Sequence, residues 1–366
     1  MTAPQLWVNR TLEHMEDAAA YGCSGLLGIM WRTRATGPQI AAMAQKSWNP
    51  GLTSRDFWSD WTEAQFGTHA APNATAAIAA VFAAIDSFAM PTVVSWSGGP
   101  GKMAAGCSNA QKDFSFVDTL ARLRSVVAGA ANLARFDYWV NSFQYMRGIA
   151  HTECAWDGFN AAMKAVSAGG SPAQQKELAI SLGLPARIAM IRNATVMMTA
   201  LQRTLSNPGE LGTYMNIESH SLLGALSDQG LAKYLELDQL PPDAVAPRSF
   251  AGDEGARLIV PTVRSTAERN ETGGFVWRAL VLGQGCTGVT LHTRSLGDAT
   301  VHSTGRTGAA FRPVAIPNLG RAVYQLALGA ERLPESDFEW YATADGCGAV
   351  FPAGAPTVTQ TVVWMD

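Results

Sequence analysis

The sequence has few charged residues and no long apolar run. Only 16% of its 366 residues are charged, whereas 47% are hydrophobic, so we expect a globular chain that buries large apolar faces. The net charge of −3 argues against a nucleic-acid partner held by phosphate contacts. No stretch approaches the roughly 18 consecutive apolar residues of a membrane span, so none is expected.

Cysteine is scarce and lacks the spacing of metal sites. The five cysteines form no CxxC pair, and no histidine lies at a spacing suited to zinc, so we expect neither metal nor cofactor. An odd number leaves at least one thiol free if the others pair. Cys286 and Cys347 lie at the ends of predicted strands and can form a disulfide in an oxidising compartment.

Glycosylation triplets are present, whereas a signal peptide is not evident. N-x-[ST] occurs at Asn9, Asn73, Asn193 and Asn270, a pattern that also arises by chance but here favours a secreted glycoprotein, extracellular or in the secretory pathway. Residues 1–20 contain acids and lack an apolar core. If the protein is secreted, residue 1 is therefore not expected to be the start of the gene product.

The first predicted domain, residues 1–50, has an α–β–α pattern. A helix is predicted over 6–20, a buried strand over the glycine-bounded apolar run 25–30, and a helix from about Pro38 to 48 with proline in its first turn. One such unit cannot cover both faces of a parallel strand. The pattern favours the last β/α unit of a (β/α)8 barrel whose other strands are supplied by upstream polypeptide or a partner chain.

Residues 51–239 are predicted to form an α-helical domain. Thr53 and Asp56 give the spacing of an N-terminal cap, and the apolar face that follows is expected to point inward. Separate helices are predicted over 132–150 and 153–167.

From residue 240 to 366 the hydrophobic period changes from 3.6 to 2. About seven short strands are predicted at 257–263, 275–282, 288–293, 311–316, 322–328, 338–344 and 357–364. This spacing is typical of an antiparallel β-sandwich of immunoglobulin or fibronectin type. The fold class is therefore multidomain α+β.

Aromatic and basic residues mark the candidate binding positions. Trp31, Arg32 and Arg34 follow the predicted strand 25–30, and the carboxyl ends of strands in α/β folds are where ligands bind. Trp96 lies in a glycine-rich loop that lets the backbone bend and approach a ligand. The alternative is that both tryptophans are core residues and the arginines are solvated.

An acid and an imidazole lie close together after the helical run. Glu218 and His220, two positions apart, are candidates for substrate binding and general acid–base chemistry. The alternative is a pair that is exposed or satisfied within the fold.

Several segments together carry a family resemblance: YGCSGLLGIMWRTR, WNPGLTSRDFWSDWTEAQFG, FDYWVNSFQYMRGIAH, PGELG, RLIVPTVRS and FPAGAPTVTQTVVW. The chain resembles the carboxyl-terminal half of large glycoside-hydrolase-like proteins, similar in plan to α-glucuronidases and β-hexosaminidases. The resemblance implies a barrel, a helical domain and a β-sandwich. It also implies that 25–30 is the last barrel strand and that Trp31 is a wall of a sugar subsite.

The chain differs from that family in lacking an evident pair of catalytic carboxylates. Glycoside hydrolysis normally needs two carboxylates flanking the scissile bond, and no such strand-end pair is evident in the sequence. One hypothesis is a carboxyl-terminal portion of a carbohydrate-active enzyme whose catalytic carboxylates lie outside this chain. The other is a non-catalytic extracellular glycoprotein, structural or glycan-binding, within an assembly.

Overall fold

The computed structural model describes most of the chain in several stretches. They are residues 4, 6–28, 33–67, 72–86, 88, 106–206, 208–247, 250, 256–261, 263–268, 275–283, 285–296, 299–302, 305–308, 310–320, 322–329 and 332–365. For residues 33, 72–74, 208, 220, 221, 223, 299–302 and 305–308 only the backbone is described. The protein is mixed α+β, with 53% helix and 18% strand.

The residues divide into two compact units, a helical one and a strand-rich one. The helical unit comprises residues 1–128, 132–204 and 213–250, and the strand unit comprises residues 129–131, 205–212 and 251–366. Residues 1–50 group with the helices that follow them.

The described helices fall mostly in the first two thirds of the chain. They are α1 Val8–Ala20, α2 Thr33–Trp48, α3 Ser54–Phe66, α4 Pro72–Ala84, α5 Ser115–Leu123, α6 Ala130–Ser167, α7 Pro172–Leu178, α8 Leu184–Thr204, α9 Pro208–Asn216, α10 Leu223–Ala225 and α11 Leu231–Tyr234. Two π-helical turns, Ala179–Gly183 and Ile217–Leu222, and two 3₁₀ turns, Arg124–Val126 and Pro242–Ala244, connect some of them.

Local sequence signals place the ends of α3 correctly but not the start of α2 or the extent of α6. The Thr53 hydroxyl accepts a hydrogen bond from the Asp56 amide at 3.2 Å, as the capping pattern predicts, and α3 ends before Gly67. Helix α2 begins at Thr33, so Pro38 lies inside it rather than in its first turn. The two helices predicted over 132–150 and 153–167 are one helix, α6, of 38 residues.

The predicted strand over 25–30 is wrong where the structure describes it. Residues 25–28 are irregular, and Leu26 and Leu27 are 46% and 87% exposed. A strand needs a neighbour to satisfy its backbone groups, and no described strand pairs with this segment. The remaining positions, 29 and 30, lie outside the described residues.

The core of the helical unit is dominated by aromatic rings from α3, α4 and α6. Successive ring centroids lie 5.2 to 6.1 Å apart, mostly edge to face, the spacing at which aromatic pairs add to the energy of burial. The cluster consists of Phe57, Trp58, Trp61, Phe66, Phe82, Phe136, Trp139 and Phe143. The inward orientation predicted for the α3 aromatics is therefore confirmed.

The strand unit contains a four-stranded sheet, a six-stranded sheet and a hairpin. The strands are β1 Arg257–Ile259, β2 Thr266–Glu268, β3 Phe275–Leu282, β4 Gly288–Ser295, β5 Ala299–His302, β6 Gly305–Gly308, β7 Arg312–Ile316, β8 Asn318–Gly320, β9 Val323–Leu328, β10 Phe338–Asp345, β11 Val350–Phe351 and β12 Gln360–Met365. The first sheet has the order β1-β3-β9-β8, and the second has the order β2-β12-β10-β4-β7 with β11 paired to β10.

Both of the larger sheets contribute to one apolar core. Trp277 of β3 and Trp340 of β10 meet edge to face with centroids 5.8 Å apart. Each of the seven predicted strand segments overlaps an observed strand. Among the described strands the pairing is antiparallel except that β12 pairs with β2 in parallel, which corrects the prediction of wholly antiparallel sheets.

Candidate functional site

A cavity of about 280 Å³ lies beside the segment that precedes Trp31. Its lining comes from the carboxyl end of α1 (Met15, Glu16), the connecting segment 23–26, and the carboxyl end of α2 (Lys46) with Pro50. Most of these groups are apolar, with a carboxylate and hydroxyls at intervals. Small-molecule sites likewise combine apolar walls with a few polar groups.

Lys46 holds the two helices together at the cavity. Its ammonium donates to Glu16 Oε1 at 2.7 Å, to the Pro50 carbonyl at 2.7 Å and to the Leu52 carbonyl at 3.1 Å. The three protons of the ammonium group are therefore all used. The Glu16 side chain remains 63% exposed, so it is the charged group at the cavity that solvent and ligands can reach.

The structure describes only one of the four predicted aromatic and basic binding residues. Trp31, Arg32 and Trp96 lie outside the described residues. The Arg34 guanidinium lies over the ring of Tyr138, 4.0 Å from its centroid, a cation–π contact within the helical unit. A ligand-binding role for Arg34 stays a prediction.

Glu218 lies in the π-helical turn Ile217–Leu222 and is 9% exposed. Its Oε1 accepts a hydrogen bond from the Phe250 amide at 3.2 Å. The side chain of His220 lies outside the description, so its pairing with Glu218 stays a prediction. The described contact makes Glu218 an internal acceptor for a buried backbone group.

Tyr214, one turn before Glu218, was not predicted from the sequence. It is 1% exposed, and burial, aided by the negative charge of Glu218, raises the pKa of its phenol above the ordinary value. Its hydroxyl and Glu218 Oε2 have no hydrogen-bond partner within the described residues. The phenol is therefore held in its neutral form beside the carboxylate.

A second buried acid, Glu153 on α6, was also missed. It is 1% exposed, its Oε2 accepts from Asn109 Nδ2 at 3.1 Å, and its Oε1 has no partner in the described part of the chain. Burial raises its pKa, and the Asn109 hydrogen bond opposes that rise. Since Asn109 is 44 positions away in sequence, no local pattern could have identified the pair.

Four of the five cysteines form disulfides. Cys286 pairs with Cys347, as the sequence suggested, and Cys107 pairs with Cys154. Cys23 is free and exposed, and it lines the cavity. Among the residues that the structure describes, no group of three His, Cys, Asp or Glu side chains is placed to hold a metal ion.

The predicted glycosylation positions differ in their surroundings. Asn9 is exposed near the start of α1, and its Nδ2 donates to Glu13 Oε1 at 3.1 Å. Asn193 lies within α8 and donates to the Ala189 carbonyl at 2.8 Å. The side chain of Asn73 and all of Asn270 lie outside the description. Glycosylation at these positions stays a prediction.

Among the helices that the structure describes, none is both long and apolar enough to cross a membrane. No protein-family model matches this chain, and no curated protein is significantly similar to it.

Proposed function

We propose that this chain is the carboxyl-terminal portion of a carbohydrate-active, glycoside-hydrolase-like protein that acts outside the cell. It contributes a wall of the substrate-binding site and accessory domains, and the catalytic carboxylates lie on other polypeptide. The observation that carries the proposal is the cavity beside residues 23–26, next to the exposed apolar run that leads to Trp31.

The cavity has the size and chemistry for one sugar ring. Its 280 Å³ lies just below the roughly 300–1,000 Å³ of drug-sized ligand sites, so it suits a single ring rather than a chain. Glu16 offers carboxylate oxygens to hydroxyl groups. In this proposal Trp31 adds an aromatic face on which the C–H-rich side of a pyranose packs, and Arg32 adds a donor pair for hydroxyls or a carboxylate.

The exposure of segment 25–28 supports the proposal that other polypeptide covers it. Leu26 and Leu27 lie in solvent in a run whose composition suits a buried strand. In the proposal, upstream polypeptide or a partner chain covers these leucines and supplies the strands of the barrel.

The strand unit fits an accessory role. Two sheets that share one core support an immunoglobulin- or fibronectin-like β-sandwich, in which the parallel β2–β12 pair is a local departure. Two disulfides in one chain favour an oxidising compartment, which supports secretion.

The test is saccharide binding by the chain and by a Trp31→Ala variant. Binding of glucuronate and N-acetylglucosamine is measured by saturation-transfer NMR, with the melting temperature measured in parallel. We expect the wild type to bind one of these sugars and Trp31→Ala to lose binding without a change in melting temperature. Trp48→Ala is the matched control, because Trp48 is 73% exposed and does not line the cavity.

Two results would overturn the proposal. One is a large fall in the melting temperature of Trp31→Ala, which would make Trp31 a core residue. The other is the absence of binding by the wild type to either sugar.

A non-catalytic glycan-binding or structural glycoprotein is the second candidate. The buried carboxylates of Glu153, Glu218 and Glu339 all accept hydrogen bonds from within the fold. These contacts favour a structural role for the three side chains over a role in acid–base chemistry. Turnover of aryl glycosides by this chain alone would contradict both candidates, because it would place the catalytic acids here.

A further inference from the structure

A short segment is attached to α6 at two adjacent positions of that helix. This segment, residues 106–113, is here called the strap. Cys107 is joined to Cys154 by a disulfide, and Asn109 donates to the neighbouring residue of α6, Glu153. The strap is also ordered internally, since the amides of Gln111 and Lys112 donate to the carbonyls of Cys107 and Asn109 at 3.2 Å each.

The disulfide and the Glu153 side chain have opposite effects on opening of the strap. The disulfide is a covalent tie between distant parts of the chain, which restricts opening of the strap. Glu153 is buried with one donor and with Oε1 unpartnered among the described residues. A buried carboxyl oxygen without a donor is less stable than a hydrated one, so the unpartnered Oε1 of Glu153 favours opening.

We propose that the strap is a redox-controlled latch: reduction of the Cys107–Cys154 disulfide by an external dithiol releases the strap from α6 and hydrates Glu153. Both cysteines are half-buried rather than fully enclosed, so a small dithiol can reach them. After reduction, the weak hydrogen-bond attachment at Asn109 is opposed by the hydration of the Glu153 carboxyl group.

The redox step is ordinary thiol–disulfide exchange. A thiolate of the dithiol attacks one sulfur of the disulfide, and the S–S bond breaks to give a mixed disulfide. The second thiol of the reagent then displaces the remaining cysteine. Two electrons and two protons pass to Cys107 and Cys154, and the reagent leaves as its own cyclic disulfide.

The test is hydrogen exchange measured by mass spectrometry on the full chain at neutral pH, with and without dithiothreitol. A Cys286→Ser/Cys347→Ser variant is measured beside the wild type, so that in the variant the reagent acts on the strap disulfide alone. We expect reduction to accelerate exchange of the strap amides by about tenfold or more, while peptides of α8 change little. Because the wild type is measured as well, a poorly folded variant does not leave the question open.

A Glu153→Gln chain tests the role of the carboxylate. Glutamine keeps an oxygen to accept from Asn109 but cannot ionise, so we expect its reduced form to open clearly less than the reduced wild type. Three results would overturn the proposal: unchanged exchange of the strap on reduction, an equal acceleration in α8, which would indicate unfolding of the whole unit, or equal opening of reduced Glu153→Gln and wild type.

Discussion

The ion pair between Arg294 and Glu339 offers a direct measure of how buried charge contributes to the strand unit. Arg294 Nε donates to Glu339 Oε1 at 2.6 Å, and the two side chains are 13% and 2% exposed. Thr359 donates to the second carboxylate oxygen at 2.5 Å, and the guanidinium lies 4.3 Å from the Phe311 ring centroid. Both carboxylate oxygens of Glu339 therefore have a donor within the strand unit.

Removing either member leaves the other charge buried without its partner. We expect Glu339→Leu and Arg294→Met each to destabilise the strand unit by about 3–5 kcal/mol, the usual cost of breaking a buried pair. In the double variant no orphaned charge remains. The double variant should therefore lose up to about 3 kcal/mol less free energy of unfolding than the two single variants lose together.

Hydrogen exchange of the β10 amides gives the free energy of opening for this unit without assuming that both units unfold together. Arg278→Met is the matched control, because Arg278 is exposed on β3 and donates to Gln325 at 2.6 Å. We expect that change to lie within about 0.5 kcal/mol of wild type. Additive losses in the double variant would refute the reasoning, since they would show that the two buried charges do not act on each other.

Two further predictions concern α6. Gly148→Ala should destabilise the helical unit by about 1–3 kcal/mol, because the new Cβ would lie 2.8 Å from Met197 Cα. Gly158→Ala on the same helix meets no atom within 4 Å and should stabilise it by about 0.5–1 kcal/mol, both measured by urea denaturation. Burial raises the pKa of Glu153 in the folded state. The protonated side chain therefore stabilises the fold fully below the ordinary pKa, and this stabilisation is lost as the pH rises through the raised value. Glu153→Gln should therefore flatten the fall in melting temperature over that range and be more stable than wild type at neutral pH; an unchanged pH profile would contradict the assignment.

The strand unit was predictable because its signal is local. In β10, buried Phe338 and Trp340 are followed by Ala342 and Ala344 at alternate positions, and this period of 2 is visible in the sequence. The sheet order was not predictable. The parallel pairing of β12 with β2 depends on contacts between segments about a hundred residues apart, and the sequence pattern of neither strand specifies its partner.

The helical unit shows where a local pattern misleads. The polar residues between 150 and 154 look like a boundary, yet α6 continues through them. Glu153 and Cys154 are accommodated inside the fold because Asn109 and Cys107, far away in sequence, supply a hydrogen bond and a disulfide. The sequence singled out Trp31, which lies outside the described residues, whereas the cavity depends on Glu16 and Lys46 from the helices on either side of segment 23–26.

The segment 25–28 connects the fold to the proposed function. An apolar run that is buried in a sheet gains from the area it removes from water and from the hydrogen bonds of its neighbours. In this chain the run has neither, since Leu27 is 87% exposed and no described strand pairs with it. The unfavourable exposure of these apolar residues occurs beside the cavity. In the proposed function this arrangement has a physical reason: other polypeptide covers the exposed leucines, beside a cavity that this chain already forms by itself.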